Sequence, residues 1–229
     1  ITWAEIAAPF MTYLARASNI ATYTGGRFTP QDHDLAAFAP PLTEATVYTR
    51  AALPAPAQIP KAARLIVLMT EEDVSPETWP IADATICGIA TAELADLGVT
   101  FSAPVAAFKR SAADDARARA ASHWDQPAIT VTEADGLVDF ARARAATHIV
   151  TSHVPVGYVQ PIIADWSRSC ASAGLPLLQI ARAWDQQFWP HAKAGFFQLK
   201  DHIPAVFAAL GIVAADASGG DRTAATGAR

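Results

Sequence analysis

Short apolar runs alternate with longer mixed stretches between residues 64 and 212. Continuous apolar runs bounded by turn residues are typical of strands buried on both faces of a sheet. Strands separated by helices need crossover connections, so this alternation predicts an α/β fold with a mostly parallel sheet. The five predicted strands are RLIVLMT at 64–70, ATICGIA at 84–90, AITVT at 128–132, THIVTSHV at 147–154 and LPLLQIA at 175–181.

Helices are predicted between and after these strands. The first begins near Ser102, a candidate N-cap, with Pro104 in its first turn and Ala and Arg throughout. The predicted helices are 102–124, 135–145, 159–174 and 203–212. Together the elements predict a doubly wound, Rossmann-like sheet of five strands, ordered 3-2-1-4-5 or 2-1-3-4-5.

The first 62 residues follow other patterns. Apolar residues recur at spacings of three and four, which predicts a helix over 3–16: Trp3, Ile6, Phe10, Tyr13 and Leu14. Two glycines and six prolines fall within 24–61, so we expect an irregular segment there that lies across another surface. The predicted organisation is a helical end at 1–28, a Pro-rich linker at 29–62, the α/β domain at 63–213 and a disordered tail at 214–229.

Composition and charge narrow the function classes. With 229 residues, 52% of them hydrophobic, the chain can bury one good core but not two full-sized ones. A net charge of −5 and scattered Lys and Arg residues make this chain alone a poor nucleic-acid binder. Cys87 and Cys170 fall in a predicted strand and helix, which fits small core thiols in a reducing cytoplasm. The sequence contains no membrane-spanning run or signal peptide, and its start at Ile1 fits either a processed or a partly represented chain.

Candidate chemistry lies after the first and fourth strands, because ligands bind at the carboxyl ends of parallel strands. Glu71, Glu72 and Asp73 can hold a metal ion or act as acid and base, or they can form an ordinary solvated turn. His153 lies beside Ser152, yet no nucleophile elbow or acid partner accompanies it. Gly157 suits a close backbone approach of a ligand, which is the better use of this loop.

An aromatic-rich segment follows the fifth strand, at 182–197. Such a segment can line a pocket for a planar cofactor, or it can fold back as packing; in either case we expect it to be covered. The sequence lacks G-x-G-x-x-G, G-x-x-x-x-G-K-[ST], C-x-x-C and H-E-x-x-H. The sequence therefore lacks the motifs typical of three functions: nucleotide binding by a glycine-rich loop, thioredoxin-like redox chemistry and zincin hydrolysis.

The N-terminal stretch resembles the closing part of the FAD-binding domain of the DNA photolyase and cryptochrome family. The matching pattern is a tryptophan-bearing helix followed by an aromatic residue, Arg, Asn and a Gly-Arg-Phe element: Trp3, Tyr13, Arg16, Asn19, Gly26, Arg27 and Phe28. Residues 64–212 are similar to the antenna-type α/β domain of that family, here in permuted order. The W-x-W motif is reduced to Trp3, and Glu71-Glu72-Asp73 replaces an Asp-Leu-Arg element.

This resemblance implies that the chain is part of a blue-light flavoprotein that transfers electrons for DNA repair or photoreception. The enzyme implied is a deoxyribodipyrimidine photolyase-like lyase, and this segment alone would be inactive. It implies FAD as the cofactor, Trp3 as an electron carrier, and Arg16 and Asn19 in the cofactor cleft. The implied partners are an upstream FAD-binding domain or chain and, through it, damaged DNA. From the residues alone, Trp3 and Tyr13 are equally well core residues, Arg16 a surface cation and Asn19 a helix stop.

A second hypothesis belongs to a different class. The chain can be a non-catalytic α/β domain that binds a nucleotide-like ligand or a protein partner. In that case the aromatic segment faces a pocket or a partner, and changing Trp184 and Trp189 would abolish binding. A hydrolase that uses the 151–158 loop with the Glu71 cluster is a third, less favoured hypothesis.

Overall fold

The computed structural model describes residues 15–35, 52–94, 98–192 and 196–212, and it divides into two compact units, Ile1–Ala52 and Leu53–Arg229. In the first unit, helix α1 spans Ala17–Tyr23. It ends where the Thr24 hydroxyl donates to the carbonyl of Ile20 (2.7 Å) and Gly25 and Gly26 take positive φ angles. The helix predicted over 3–16 lies mostly outside the described residues, and α1 begins only after it.

The second unit contains a five-stranded parallel sheet in the order β3-β2-β1-β4-β5. The predicted doubly wound α/β fold is therefore confirmed, in the first of the two expected strand orders. Observed boundaries differ from the predicted ones by up to two residues. The strands are β1 (Arg64–Met69), β2 (Thr85–Ala92), β3 (Ala128–Val131), β4 (His148–Ser152) and β5 (Leu177–Ile180).

Helices cover both faces of the sheet. They are α2 (Ala103–Trp124), α3 (Ala134–Ala143), α4 (Val159–Ser172), α5 (Ala183–Phe188), α6 (Phe196–Lys200) and α7 (Ile203–Ala209), with short 3-10 turns at Asp32–Asp34, Pro76–Thr78 and Trp189–His191. None of the helices in the described ranges is long and apolar enough to cross a membrane. Helix α2 begins after Ser102 with Pro104 in its first turn, but the Ser102 side chain makes no capping hydrogen bond.

Two apolar layers hold the helices against the sheet. On one face, Ala116 and Ala120 of α2 are fully buried beside alternate residues of β1, such as Leu65. On the other face, Leu137 of α3 and Ile163 of α4 pack with the intervening β1 residues, such as Ile66. The alternation along β1 explains why its sequence is apolar throughout, because both of its faces are buried.

A bulge interrupts the pairing of β1 with β2. Leu65 pairs with Ile86 and Ile66 with Gly88, so Cys87 is the extra residue on β2. Arg144 Nε donates to the Cys87 carbonyl (2.9 Å), which gives this carbonyl a partner. Burial raises the pKa of the Cys87 thiol, as expected for an inert core cysteine.

The segment before β1 runs beside β5. The backbone N–H of Ala57 donates to the carbonyl of Gln179 (2.8 Å), and Ile59 packs against the core layer on the α2 face. These contacts explain the apolar residues of this Pro-rich stretch, and they provide a partner for the edge strand.

Candidate functional site

The sheet has a topological switch point between β1 and β4. The chain leaves β1 on the face that α2 covers and leaves β4 into α4, which covers the opposite face. The connections diverge, so a crevice opens at the carboxyl ends of these two strands, where ligands bind in open α/β sheets. The loop after β1 and the start of α4 form its two sides.

A cluster of four side chains bridges this crevice. Tyr158, which directly precedes α4, donates a hydrogen bond to Glu71 Oε1 in the loop after β1. Lys109 of α2 places its Nζ 2.5 Å from Glu71 Oε2 and 3.7 Å from the centre of the Phe101 ring. Phe101 and Tyr158 meet edge to face at 5.8 Å. The Glu71 carboxylate thus interacts with both the Lys109 ammonium and the Tyr158 phenol, which fixes the positions of these three side chains.

We expect Tyr158 to lose its proton at a higher pH than an ordinary tyrosine. The hydrogen bond to Glu71, with burial and the charges of Glu71 and Glu72, raises the pKa of Tyr158 to about 12. The folded state favours the protonated phenol, so its contribution to stability is complete below pH about 10 and lost as the pH rises to about 12. Carbon-13 NMR of the tyrosine Cζ atoms checks this: the latest signal should vanish in Tyr158→Phe. A Tyr158 signal that titrates at about pH 10, the ordinary value, contradicts the hydrogen bond.

A cavity of about 200 Å³ lies next to this cluster, at the carboxyl ends of β1 to β3 and under the start of α2. Lys109, Glu71 and Phe101 form one wall. The ion pair between Arg110 and Glu93, with 3.6 Å between nitrogen and oxygen, is exposed at the rim. The remaining walls are mostly apolar and small: Ala92, Leu94, Ala106 and Ala113. We call this the β2-edge cavity.

One polar atom at this cavity has no partner. Thr91 lies at the end of β2, lines the cavity and is 3% exposed, yet its Oγ1 makes no hydrogen bond in the described part of the chain. A buried hydroxyl without a partner costs about 1 to 3 kcal/mol. Such a group is therefore expected to have a partner that enters the cavity.

The acidic run after β1 is divided between two structural roles. Asp73 accepts two hydrogen bonds from Arg182, at 2.5 and 2.9 Å, and others from the Trp79 indole (3.1 Å) and the Ser75 amide (3.1 Å). Burial alone raises the pKa of Asp73, but these hydrogen bonds and the Arg182 charge lower it below its usual value. No group of three metal-ligating side chains is found among the described residues. The reading as an ordinary structured turn fits Asp73 best.

His153 faces a second cavity, separate from the first, on the β4 and β5 side of the switch point. Its ring lies 5.1 Å from that of Trp189, and burial lowers the pKa of His153. Ser152 lines the same cavity, is 7% exposed and leaves its Oγ without a partner among the described residues. Gly157 lies 4.0 Å from Glu72 Oε1, measured from an ideal Cβ position.

The aromatic segment after β5 is covered only in part, contrary to expectation, since Phe196 and Phe197 keep 63% and 74% of their surface exposed. Phe188 is buried, and Trp184 lies 4.5 Å from Phe188 and 5.5 Å from Phe207 of α7, between ring centres. Packing therefore accounts for this part of the segment, although Trp184 keeps 44% of its surface exposed and Trp189 reaches the second cavity.

The residues that the sequence resemblance selected lie elsewhere. Trp3 is outside the described residues. Arg16 immediately precedes α1 and Asn19 lies within it, and both are exposed. Sequence reasoning missed Thr91, Lys109 and Tyr158. Thr91 could have been found, because a threonine directly after an apolar strand lies at the edge of the sheet where ligands bind. Lys109 and Tyr158 could not, because their positions depend on how α2 and α4 pack.

Fold and geometry together define a doubly wound α/β domain with cavities on both sides of its switch point. No family model matches the chain, and no curated protein matches it. Among solved structures, a universal stress protein in complex with cAMP matches at 19% identity and a TM-score of 0.31, over 53% of this chain and 99% of that chain.

These comparisons correct the expected family. Membership in the photolyase and cryptochrome family is wrong: no family model matches the chain, and the solved structure described above is a universal stress protein. FAD as the cofactor is wrong for the same reason, because only that resemblance carried it. An upstream domain and damaged DNA, implied as partners, stay predictions. The physical weakness lay in the motif, because aromatic, Arg, Asn and Gly residues near a helix end also serve as ordinary capping and turn residues.

Proposed function

We propose that this chain is a non-catalytic α/β domain that binds a small ligand in the β2-edge cavity. The observation that carries the proposal is the unpartnered Thr91 hydroxyl, buried at a cavity of about 200 Å³ beside the switch point. Cavities of this kind, mostly apolar with a few polar groups, are the usual ligand sites of such folds.

The walls favour one ligand chemistry. The charged groups at the cavity form ion pairs: Lys109 with Glu71, Arg110 with Glu93, and Asp114 with Arg117. A ligand with a net charge therefore gains little there. The Phe101 ring and the alanine and leucine walls favour an apolar ring. Thr91 adds a hydrogen-bonding position. We therefore propose an uncharged, ring-containing molecule with a hydrogen-bonding group directed at Thr91.

Binding rather than catalysis follows from the same pairing. Glu71, Lys109 and Tyr158 are each engaged with another member of the cluster. Tyr158 holds its proton well above neutral pH, since its pKa is about 12. A general acid or base works best with a pKa near the operating pH. These groups are therefore suited to orient a ligand.

We expect Ala113→Leu to abolish ligand binding, because the added atoms fill the cavity from α2. Thr91→Val keeps the shape and removes the hydroxyl, and it should weaken binding about tenfold. Saturation-transfer NMR with a library of uncharged aromatic heterocycles measures both effects. Ala118→Leu, at an exposed position of the same helix, is the matched control and should bind as the unchanged protein does. Equal binding by Ala113→Leu and Ala118→Leu places the ligand elsewhere.

We propose a cytoplasmic location. Cys87 and Cys170 are both free thiols and buried. Their separation in the fold, on a strand and a helix, gives no disulfide, which suits a reducing compartment.

A further inference from the structure

The second cavity has a character different from the first. It has a volume of about 170 Å³ and lies where the loops after β1, β4 and β5 meet. Acidic and aromatic side chains line much of it, in contrast to the small apolar walls of the β2-edge cavity. The residues that line it include Glu72, Asp185, Ser152, His153 and Trp189.

The formal charge at this cavity is negative. Arg182 is the cation among its lining residues, and it is held by Asp73 at 2.5 and 2.9 Å. Asp185 lies farther from Arg182, at 3.9 Å, and Glu72 has no ion pair in the described part of the chain. Burial lowers the pKa of His153, more than the Asp185 charge raises it, so burial disfavours a positive charge on this ring. Three carboxylates, those of Glu72, Asp73 and Asp185, thus face one guanidinium, which leaves a formal excess of two negative charges at the cavity.

Ser152 and Trp189 add two recognition elements of other kinds. The Ser152 hydroxyl is buried without a hydrogen-bond partner among the described residues, so it can accept a hydrogen bond from a ligand. Trp189 packs beside His153 at 5.1 Å and presents the ring type that attracts cations most strongly. A bare metal ion fits less well, because the described residues bring no three ligating side chains together.

We propose that this second cavity binds an organic ammonium ion. Glu72 and Asp185 supply the negative field, Trp189 contacts the cation through its ring, and Ser152 accepts one N–H. A positive charge here gains from every uncompensated group that faces the cavity. An anion is opposed by the same carboxylates. The inference goes beyond the ligand proposed for the β2-edge cavity and does not depend on it.

The test is a titration of the full chain with benzylamine, which is protonated at pH 7, and with its neutral counterpart benzyl alcohol. Two-dimensional NMR should show benzylamine shifting the Trp189 indole and Ser152 amide signals, with binding at least about tenfold weaker for the alcohol. Added salt should weaken the benzylamine effect. Equal binding of the two compounds, or no shift with benzylamine, overturns the proposal.

Substitutions of single carboxylates show which of them contribute to benzylamine binding. Asp185→Asn should weaken benzylamine binding about tenfold. Glu72→Gln, a substitution at an exposed position, should also weaken it. Asp139→Asn changes the net charge equally at an exposed site on α3, and binding should not change. Unchanged binding in both Asp185→Asn and Glu72→Gln contradicts the proposal. So do shifts confined to Thr91 and Ala106, which would place the amine in the β2-edge cavity.

Discussion

Asp73→Ala should lower the free energy of unfolding by about 2 to 4 kcal/mol, the largest effect expected of any change near the switch point. The carboxylate is 13% exposed and Arg182 is 27% exposed, so water replaces little of what is lost. The change leaves the Arg182 guanidinium without its two-pronged partner and the Trp79 indole without its acceptor. The loop after β1, which carries Glu71, loses its anchor.

Urea unfolding measures this effect. Asp83→Ala removes an exposed carboxylate from the same connection and should change the free energy of unfolding by less than about 0.5 kcal/mol. A loss equal to that of Asp83→Ala would show that the Asp73 network contributes nothing.

The same network sets a pH dependence. The pKa of Asp73 is lower in the folded state than its ordinary value of about 3.9. Its contribution to stability is therefore complete above pH about 4 and is lost as the pH falls through the folded-state pKa. The stability difference between the unchanged protein and Asp73→Asn should shrink below that pH. A constant difference down to acid pH contradicts the assigned role.

Gly88→Ala should cost about 1 to 3 kcal/mol because the site has no room for a side chain. A Cβ atom there would lie 2.8 Å from Phe140 Cε1 and Cζ and 2.9 Å from Ile66 Cδ1. Gly88 lies directly after the bulge on β2, where α3 packs against the sheet through Phe140. The Phe140 ring or the Ile66 methyl group must then shift, and α3 or the strand moves where these side chains cannot.

Two further variants check this explanation. Gly136 lies in α3 with no atom within 4 Å of its Cβ position, so Gly136→Ala should stabilise the helix by about 0.5 to 1 kcal/mol. Phe140→Leu combined with Gly88→Ala should recover part of the loss, because the ring is the main obstacle. Thermal or urea unfolding distinguishes the outcomes, and additive losses in the double variant would exclude a clash with Phe140.

The sequence predicted the sheet well for a physical reason. Strands such as β1 and β4 are buried on both faces, and continuous apolar runs between helices mark them clearly. The ends of the strands were predicted less accurately, because the residue types near Thr70 and Ala181 do not mark where the strand stops and the loop begins. Helix α1 was not predicted, since it depends on a local capping pattern at Thr24 rather than on an apolar face.

The site was predicted only in outline. The sequence selected the carboxyl ends of β1 and β4, and the structure places Ser152 in the second cavity there and Gly157 near Glu72. Lys109 could not be found from sequence, because α2 is rich in alanine and arginine with no periodic stripe that fixes which face meets Glu71. The family assignment failed because an α/β fold hosts many unrelated functions, so strand count and order carry no function by themselves.

The most direct test of a ligand site in the β2-edge cavity follows the methyl group of Thr91 in a two-dimensional NMR titration with the uncharged heterocycles that bind the protein. We expect shifts of the Thr91, Leu94 and Ala106 methyl signals, lost in Ala113→Leu and retained in Ala118→Leu. Heterocycles that bind with the Thr91 signal unmoved, or that bind Ala113→Leu as well as the unchanged protein, would contradict a ligand site in the β2-edge cavity.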